Sequence, residues 1–216
     1  MLSLELPGIR AVALLGAHCD DLAIGAGGSL LTLCAQRPGL RVHALVLSGG
    51  GTVREDEERA ALAEFCAPAQ VEVTVLGLPD GRMPAHWADA KDAVTQLRGR
   101  LDADLVLAPH REDRHQDHRL LAEIAPTVFR DQLVLGYEIL KWDGDLAQPA
   151  VYQPLSEKTA LRKAELLGKH YPSQHGKDWY TEEAFLALAR LRGVQQHTRY
   201  AEAFHVEKLA LTLGRG

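Results

Sequence analysis

Five short runs rich in Val, Leu and Ala, at residues 11–15, 41–47, 71–76, 104–107 and 132–137, set the strongest limit on how this chain folds. Most are close to continuously hydrophobic instead of alternating, the pattern of a strand whose sheet is covered on both faces. The stretches between them, 27–36, 55–65, 87–100 and 116–128, place apolar residues at helical spacing. Such β-α alternation predicts an α/β fold: a Rossmann-like, doubly wound, mostly parallel sheet in the strand order 3-2-1-4-5. Beyond Tyr137 the pattern changes. A polar stretch at 141–145 precedes two helix-like segments, 157–170 and 181–191, which predict a C-terminal helical cap. With 216 residues and no linker rich in Gly, Pro or Ser, one domain is expected over 1–216, with a core of 1–137 and cap elements in 138–216.

A formal net charge of -5 supplies no basic field for gathering polyanions, so nucleic acid is not expected as the main partner. No segment has the apolar length of a membrane span, and residues 1–10 lack the basic start and long apolar run of a signal peptide. The three cysteines, Cys19, Cys34 and Cys66, are odd in number and widely spaced, unlike a disulfide framework or a C-x-x-C metal site. Together these features predict a cytoplasmic protein acting on a small molecule, and they leave a homo-oligomer open.

Of ten histidines, four fall in two compact clusters with aspartates. The first, A-H-C-D-D-L-A-I-G-A-G-G at 17–28, follows the first strand and holds His18, Asp20 and Asp21. The second, P-H-R-E-D-R-H-Q-D-H at 109–118, follows the fourth and holds His110, Asp113, His115, Asp117 and His118. In the order 3-2-1-4-5, strands one and four are neighbours where the order reverses, and open α/β sheets bind ligands in that crevice. Two clusters distant in sequence then meet at one site. Imidazole nitrogens and carboxylate oxygens suit Zn²⁺, whose catalytic sites keep about three protein ligands and an open position; His18, Asp21 and His118 form such a set. Fe²⁺ or another divalent ion suits the same donors. Asp20 is then placed to act as general base on a metal-bound water. His115 is placed to stabilise the oxyanion or protonate the leaving amine, with Asp117 or Asp113 orienting it. The glycines are expected to let the chain turn tightly from strand to helix, and Gly25-Ala26-Gly27-Gly28 lacks the G-x-G-x-x-G spacing of a dinucleotide loop.

These residues resemble the motifs of the PIG-L/LmbE family of zinc-dependent N-acetylglucosaminyl deacetylases, over most of the chain. The family's A-H-P-D-D-E followed by G-x-G-G stands here as Ala17-His18-Cys19-Asp20-Asp21-Leu22 with Gly25, Gly27 and Gly28. Its D-x-H-x-D-H stands as Asp113-Arg114-His115-Gln116-Asp117-His118. Further echoes are Leu76-Gly77-Leu78-Pro79-Asp80-Gly81, Ser173-Gln174 and Tyr200-Ala201-Glu202-Ala203-Phe204. The resemblance implies one Zn²⁺ per chain held by His18, Asp21 and His118, Asp20 as base and His115 as oxyanion or acid partner. It also implies sugar-hydroxyl contacts from Asp80 and from an upstream arginine, Arg59 or Arg54. Cys19 and Leu22 depart from the family's proline and glutamate, and Cys19 reads as a small packing residue.

The expected activity is therefore hydrolysis of the N-acetyl group of an N-acetylglucosamine-type sugar or glycoconjugate. Alternatives are an amide hydrolase for another acylated small molecule, such as an antibiotic or thiol precursor, and a non-catalytic sugar- or nucleotide-binding protein. Lys141, with Trp142, Arg190 and Arg192, is expected on the acceptor side of the cleft, where its charge would meet a substrate phosphate.

Overall fold

Each of the five hydrophobic runs forms a strand: β1 (Ala11–Gly16), β2 (Arg41–Val46), β3 (Gln70–Val75), β4 (Leu105–Pro109) and β5 (Leu133–Tyr137). Between and after them come α1 (Asp21–Gln36), α2 (Val53–Phe65), α3 (Trp87–Arg100), α4 (Gln116–Val128), α5 (Glu157–His170) and α6 (Glu182–Gln196). This is a computed structural model that describes residues 3–211; Met1, Leu2 and residues 212–216, part of the span expected as one domain, lie outside it. The five strands pair in parallel in the order β3-β2-β1-β4-β5, as the alternation predicts. β1 lies at the centre and is buried along its whole length.

Side chains of β1 alternate between two apolar layers. Val12 and Leu14 join Leu30, Leu62, Phe65 and Leu166 on the α1, α2 and α5 side. Ala11, Ala13 and Leu15 join Val94, Leu97, Leu121 and Ile124 on the α3 and α4 side. Burial on both faces explains why the strands read as continuous apolar runs.

The C-terminal part is not purely a helical cap. Two further strands, β6 (Val151–Leu155) and β7 (Tyr200–Val206), extend the sheet antiparallel, giving the full order β3-β2-β1-β4-β5-β7-β6. Neither was legible as an apolar run, because Glu202 and His205 interrupt β7 and Pro154 sits in β6. A proline is tolerated in β6 because that strand is at the sheet edge.

α1 starts six residues before the stretch expected as helix, so the glycine run lies inside it rather than in a turn. The glycines serve close packing. A Cβ on Gly25 would strike the Tyr137 ring, one on Gly27 would lie 2.7 Å from Phe65, and one on Gly28 would lie 2.5 Å from Leu155. Side chains from other elements also bond the helix backbone there. Lys163 Nζ donates to the Ile24 carbonyl at 2.5 Å, while Glu202 accepts from the Gly28 and Ser29 amides, both at 2.7 Å. Lys163 and Glu202 pair with each other at 2.7 Å, so the buried charges are matched.

Candidate functional site

The loops after β1 and β4 carry the two clusters to the carboxyl ends of adjacent strands, at the point where the strand order reverses. His18 Nδ1 lies 3.0 Å from His118 Nε2. Asp21 joins them, with one oxygen 3.3 Å from His118 Nε2 and the other 3.6 Å from His18 Nδ1. The Ala17 and His18 amides donate to Asp21 Oδ2 at 3.0 and 2.8 Å, which fixes the carboxylate and turns its Oδ1 towards His118.

Each imidazole also has a carboxylate on its far side. His118 Nδ1 lies 3.0 Å from Asp113, and His18 Nε2 lies 3.0 Å from both Asp117 and Asp80. The His115 ring stands 4.8 Å from that of His18 and 4.6 Å from that of His118, centroid to centroid. Nitrogen atoms of His18, His115 and His118 thus fall within 4.8 Å of one another, as do ligand atoms of His18, Asp80, His115 and Asp117.

Electrostatics follow from this crowding of carboxylates. Burial disfavours charge on His118, yet Asp21 and Asp113 outweigh it and push the ring up to about 9. Burial likewise opposes charge on His18, but Asp117, Asp21 and Asp80 raise it well above the ordinary histidine value. Asp21 is buried too, and His118 and His18 hold its carboxyl well below the usual range. The cluster is a place that gathers positive charge.

Asp20 occupies the N-cap of α1 with φ of 100°, a left-handed conformation that costs a non-glycine residue about 1–3 kcal/mol. Its amide donates to Glu58 at 2.8 Å, and Glu58 also accepts from the Tyr171 hydroxyl at 2.7 Å. Arg54 pairs with the Asp20 carboxylate at 2.9 Å and donates to the Cys19 carbonyl. Burial pushes Asp20 up to about 6; Arg54 opposes the shift and Asp21 adds to it.

Most of the anticipated side chains come together. His18, Asp20, Asp21, Asp80, His115, His118 and Lys141 line one cavity of about 720 Å³, and Asp117 stands directly behind His18. Five placements differ from expectation. The Asp117 carboxylate does not orient His115, which meets only the Asp117 amide: its oxygens accept from the Gly81 and Met83 amides at 2.7 and 3.1 Å and face His18. Arg59 stays outside the cavity, paired with Glu55 and the Val73 carbonyl, and Arg54 is the arginine present. Helix geometry explains the choice, since residues 54, 58, 61 and 65 share a face of α2 while 59 points elsewhere. Lys141 lines the cavity but is held by Asp113 at 2.9 Å and Asp145 at 2.5 Å, so its charge is already matched. Arg192 is buried against Glu138 and Arg190 bonds the Thr198 and Arg199 carbonyls, so neither reaches the cleft.

Glu58 and Tyr171 were not anticipated. The apolar partners of Glu58 at i+3, i+4 and i+7 on α2, namely Ala61, Leu62 and Phe65, were the signal that its carboxylate is buried. Cys19 is buried with Sγ 3.5 Å from the Ser48 carbonyl, and burial raises its thiol far above the normal range, consistent with packing rather than ligation. A second cavity of about 760 Å³, lined by His110, Phe129, Gln132 and His205, contains none of His18, Asp21 and His118.

The fold and its His/Asp cluster define a Rossmann-like α/β protein with a switch-point site built to hold positive charge. The chain belongs to the PIG-L family of deacetylases: the family's sequence model, described as GlcNAc-PI de-N-acetylase, matches residues 13–129. A curated relative, the uncharacterized deacetylase YaiS of Escherichia coli K12, is 28% identical over 174 residues, covering 74% of this chain and 90% of its own. Among solved structures, the N,N'-diacetylchitobiose deacetylase of Pyrococcus horikoshii is 18% identical with a TM-score of 0.69, covering 92% of this chain and 84% of that one. GalB, the 4-carboxy-2-hydroxymuconate hydratase of Pseudomonas putida KT2440, is 18% identical with a TM-score of 0.74, covering 96% of this chain and all of that one. Likeness at this level carries the fold, so the reaction has to be argued from the site.

Proposed function

We propose that the protein is a metal-dependent N-deacetylase that hydrolyses the acetamide of an N-acetylglucosamine-type sugar or glycoconjugate. One observation carries the reading. The inner nitrogens of His18 and His118 face each other at 3.0 Å while the outer nitrogen of each ring meets a carboxylate. With the outer nitrogens of His118 and His18 each 3.0 Å from a carboxylate, Asp113 and Asp117, the inner nitrogens of both rings would turn lone pairs to a cation bound between them in place of their protons. Separations of 3.0, 3.3 and 3.6 Å among His18 Nδ1, His118 Nε2 and the Asp21 oxygens also fit donors about 2.0–2.2 Å from a tetrahedral Zn²⁺. His18, Asp21 and His118 would hold the ion, with Asp113 and Asp117 beside the two rings; a divalent cation bound there would supply Lewis acidity to a water and to the acyl carbonyl.

The chain's own groups account for the proton movements. Asp20, with its pKa near 6, takes a proton from the attacking water as the water oxygen bonds to the acyl carbon, and hands it to the nitrogen when the C–N bond breaks. Acetate and a free amine result. His115 serves the developing oxyanion: burial and its two histidine neighbours hold its pKa low, so the ring is neutral. Because its Nδ1 accepts from the Asp117 amide at 3.4 Å, the ring proton sits on Nε2 as a donor. Asp80, 3.0 Å from His18, and Arg54 lie in the cavity within reach of sugar hydroxyls.

The test is release of primary amine from N-acetylglucosamine and its glycosides by the zinc-loaded protein. Asp20→Asn is expected to lower kcat by about 10²–10⁴-fold with metal content retained. Absence of amine release across a broad panel of N-acetylated sugars, or hydration of a carboxylated enol in its place, would overturn the reading.

A further inference from the structure

The second cavity, bordered by α4, β5 and β7, is lined by three polar side chains that each leave a polar atom unpaired. His110 joins the lining from the loop after β4, Gln132 from just before β5 and His205 from β7. Among the described residues, His110 Nδ1, Gln132 Oε1 and His205 Nε2 are buried and have no hydrogen-bond partner. Buried polar atoms are nearly always paired, so three orphans on one lining call for a hydrogen-bonding occupant. The backbone there has little room to withdraw. His110 stacks on His205 with ring centroids 4.6 Å apart, and a Cβ on Gly136 would already lie 3.0 Å from the His110 Cα and Cβ. The last torsion of His and Gln side chains is soft, so these groups can re-aim at an occupant with the backbone fixed.

What the lining offers sets the chemistry of that occupant. Burial lowers both histidines, His205 to about 4, so near neutral pH each ring is uncharged, with one nitrogen to donate and one to accept. The Gln132 amide also does both, while Ala122, Pro126 and Val134 supply apolar wall. Charges on the lining balance: Arg111 is paired with Glu207 at 3.2 Å, and Lys208 is matched in number by Glu112, so no net field draws an anion. A metal ion is not favoured either, because the groups of three or more ligand atoms close enough to hold one include neither His110 nor His205 among the described residues. An uncharged ring system carrying donors beside acceptors meets all these conditions. A carboxamide pairs with such an edge on a nucleobase, as glutamine does with adenine. The volume of about 760 Å³ lies within the roughly 300–1,000 Å³ of small-molecule sites and has room for a nucleoside.

We propose that this cavity is an effector site, separate from the His/Asp cluster, that takes an uncharged nucleobase or nucleoside. A short backbone path joins the two. The His110 carbonyl accepts from the Asp113 amide at 3.3 Å, and Asp113 faces His118 at 3.0 Å, so an occupant bonded to His110 acts on the turn that supports the cluster. The test titrates adenosine and uridine into the metal-free protein, followed by calorimetry and by ¹H–¹⁵N spectra of the histidine rings. His110→Phe and His205→Phe assign the two ring signals. At least one nucleoside is expected to bind and to move both signals, and Gln132→Leu to weaken that binding about tenfold. Adenosine 5'-monophosphate is expected to bind no more tightly than adenosine; tenfold tighter binding would mark an anion site and overturn the proposal. A His118 ring signal that moves with the same midpoint, and is lost together with the others in Gln132→Leu, supports the effector role. Saturation of the His110 and His205 signals with His118 unmoved removes it. Shifts at His18 and His115 without any at His110 and His205 would place the nucleoside in the catalytic cleft and overturn the proposal. So would the absence of heat and of ring shifts with both nucleosides up to their solubility limits, which leaves water as the partner of these atoms. Every readout uses the metal-free protein, so the result is independent of the deacetylase reading.

Discussion

At the scale of single residues, support for the site comes from carboxylates that would not themselves touch a metal. Asp113 faces His118 Nδ1 at 3.0 Å and also accepts from the His115 amide at 2.8 Å, so one side chain holds two histidines. Asp113→Asn is expected to weaken Zn²⁺ binding about 10–100-fold, read by competition with a chromogenic chelator. Unchanged affinity would remove the supporting role. Leu22, where the family's motif carries glutamate, is fully buried in the α1-side core beside Gly16. Leu22→Glu therefore places an unpaired carboxylate in an apolar layer and is expected to cost about 3 kcal/mol or more, seen as a lowered midpoint in urea. The strained Asp20 backbone is anchored from α2, by Glu58.

At the scale of elements, α1 joins the sheet centre to the site, and its glycines decide how closely it packs. Alanine in place of glycine inside a helix is worth about 1 kcal/mol in propensity, yet overpacking a full core costs about 1–3 kcal/mol. At Gly25 the added methyl meets the Tyr137 ring, whose hydroxyl is fixed on the Leu15 carbonyl at 2.7 Å, so the ring has little room to yield. Gly25→Ala is accordingly expected to destabilise on balance, by about 1–2 kcal/mol in chemical denaturation. A stabilised variant would show that the ring moves freely. The run G-A-G-G was legible as unlike a dinucleotide loop, but its actual use was not. Its neighbours Tyr137, Phe65 and Leu155 come from a strand, a helix and a strand distant in sequence.

Across the whole molecule, pH acts on a histidine pair away from the cleft, His110 buried and His205 half-buried. His110, after β4, stacks on His205 of β7 with centroids 4.6 Å apart. Burial and then His110 lower His205 to about 4, with Arg192 adding to the shift and Glu112 opposing it. An unfolded histidine titrates near 6.5, so between about pH 6.5 and 4 the unfolded chain binds more protons than the folded one. Stability contributed by the neutral ring is thus present above pH 6.5 and is lost as pH falls towards 4. His205→Gln is expected to flatten the dependence of unfolding free energy on pH within that window. An identical slope in both proteins would show that the ring titrates normally. Among the described residues no helix is long and apolar enough to cross a membrane.

The sequence by itself determined the parallel strands, their order and the meeting of two His/Asp clusters, because each depends on local periodicity or on short motifs placed at strand ends. Tertiary structure decided which carboxylate serves which imidazole, since Asp117 reaches His18 across 99 residues and its partners on the Gly81 loop are invisible to spacing. It decided that Arg54 rather than Arg59 enters the cleft and that Lys141 is neutralised by Asp113 and Asp145. It also decided that β6 and β7 complete the sheet and that Glu202 inserts into α1 across 174 residues. Those outcomes follow from burial: a charged group removed from water must find its partner wherever the fold brings one, and sequence distance does not enter.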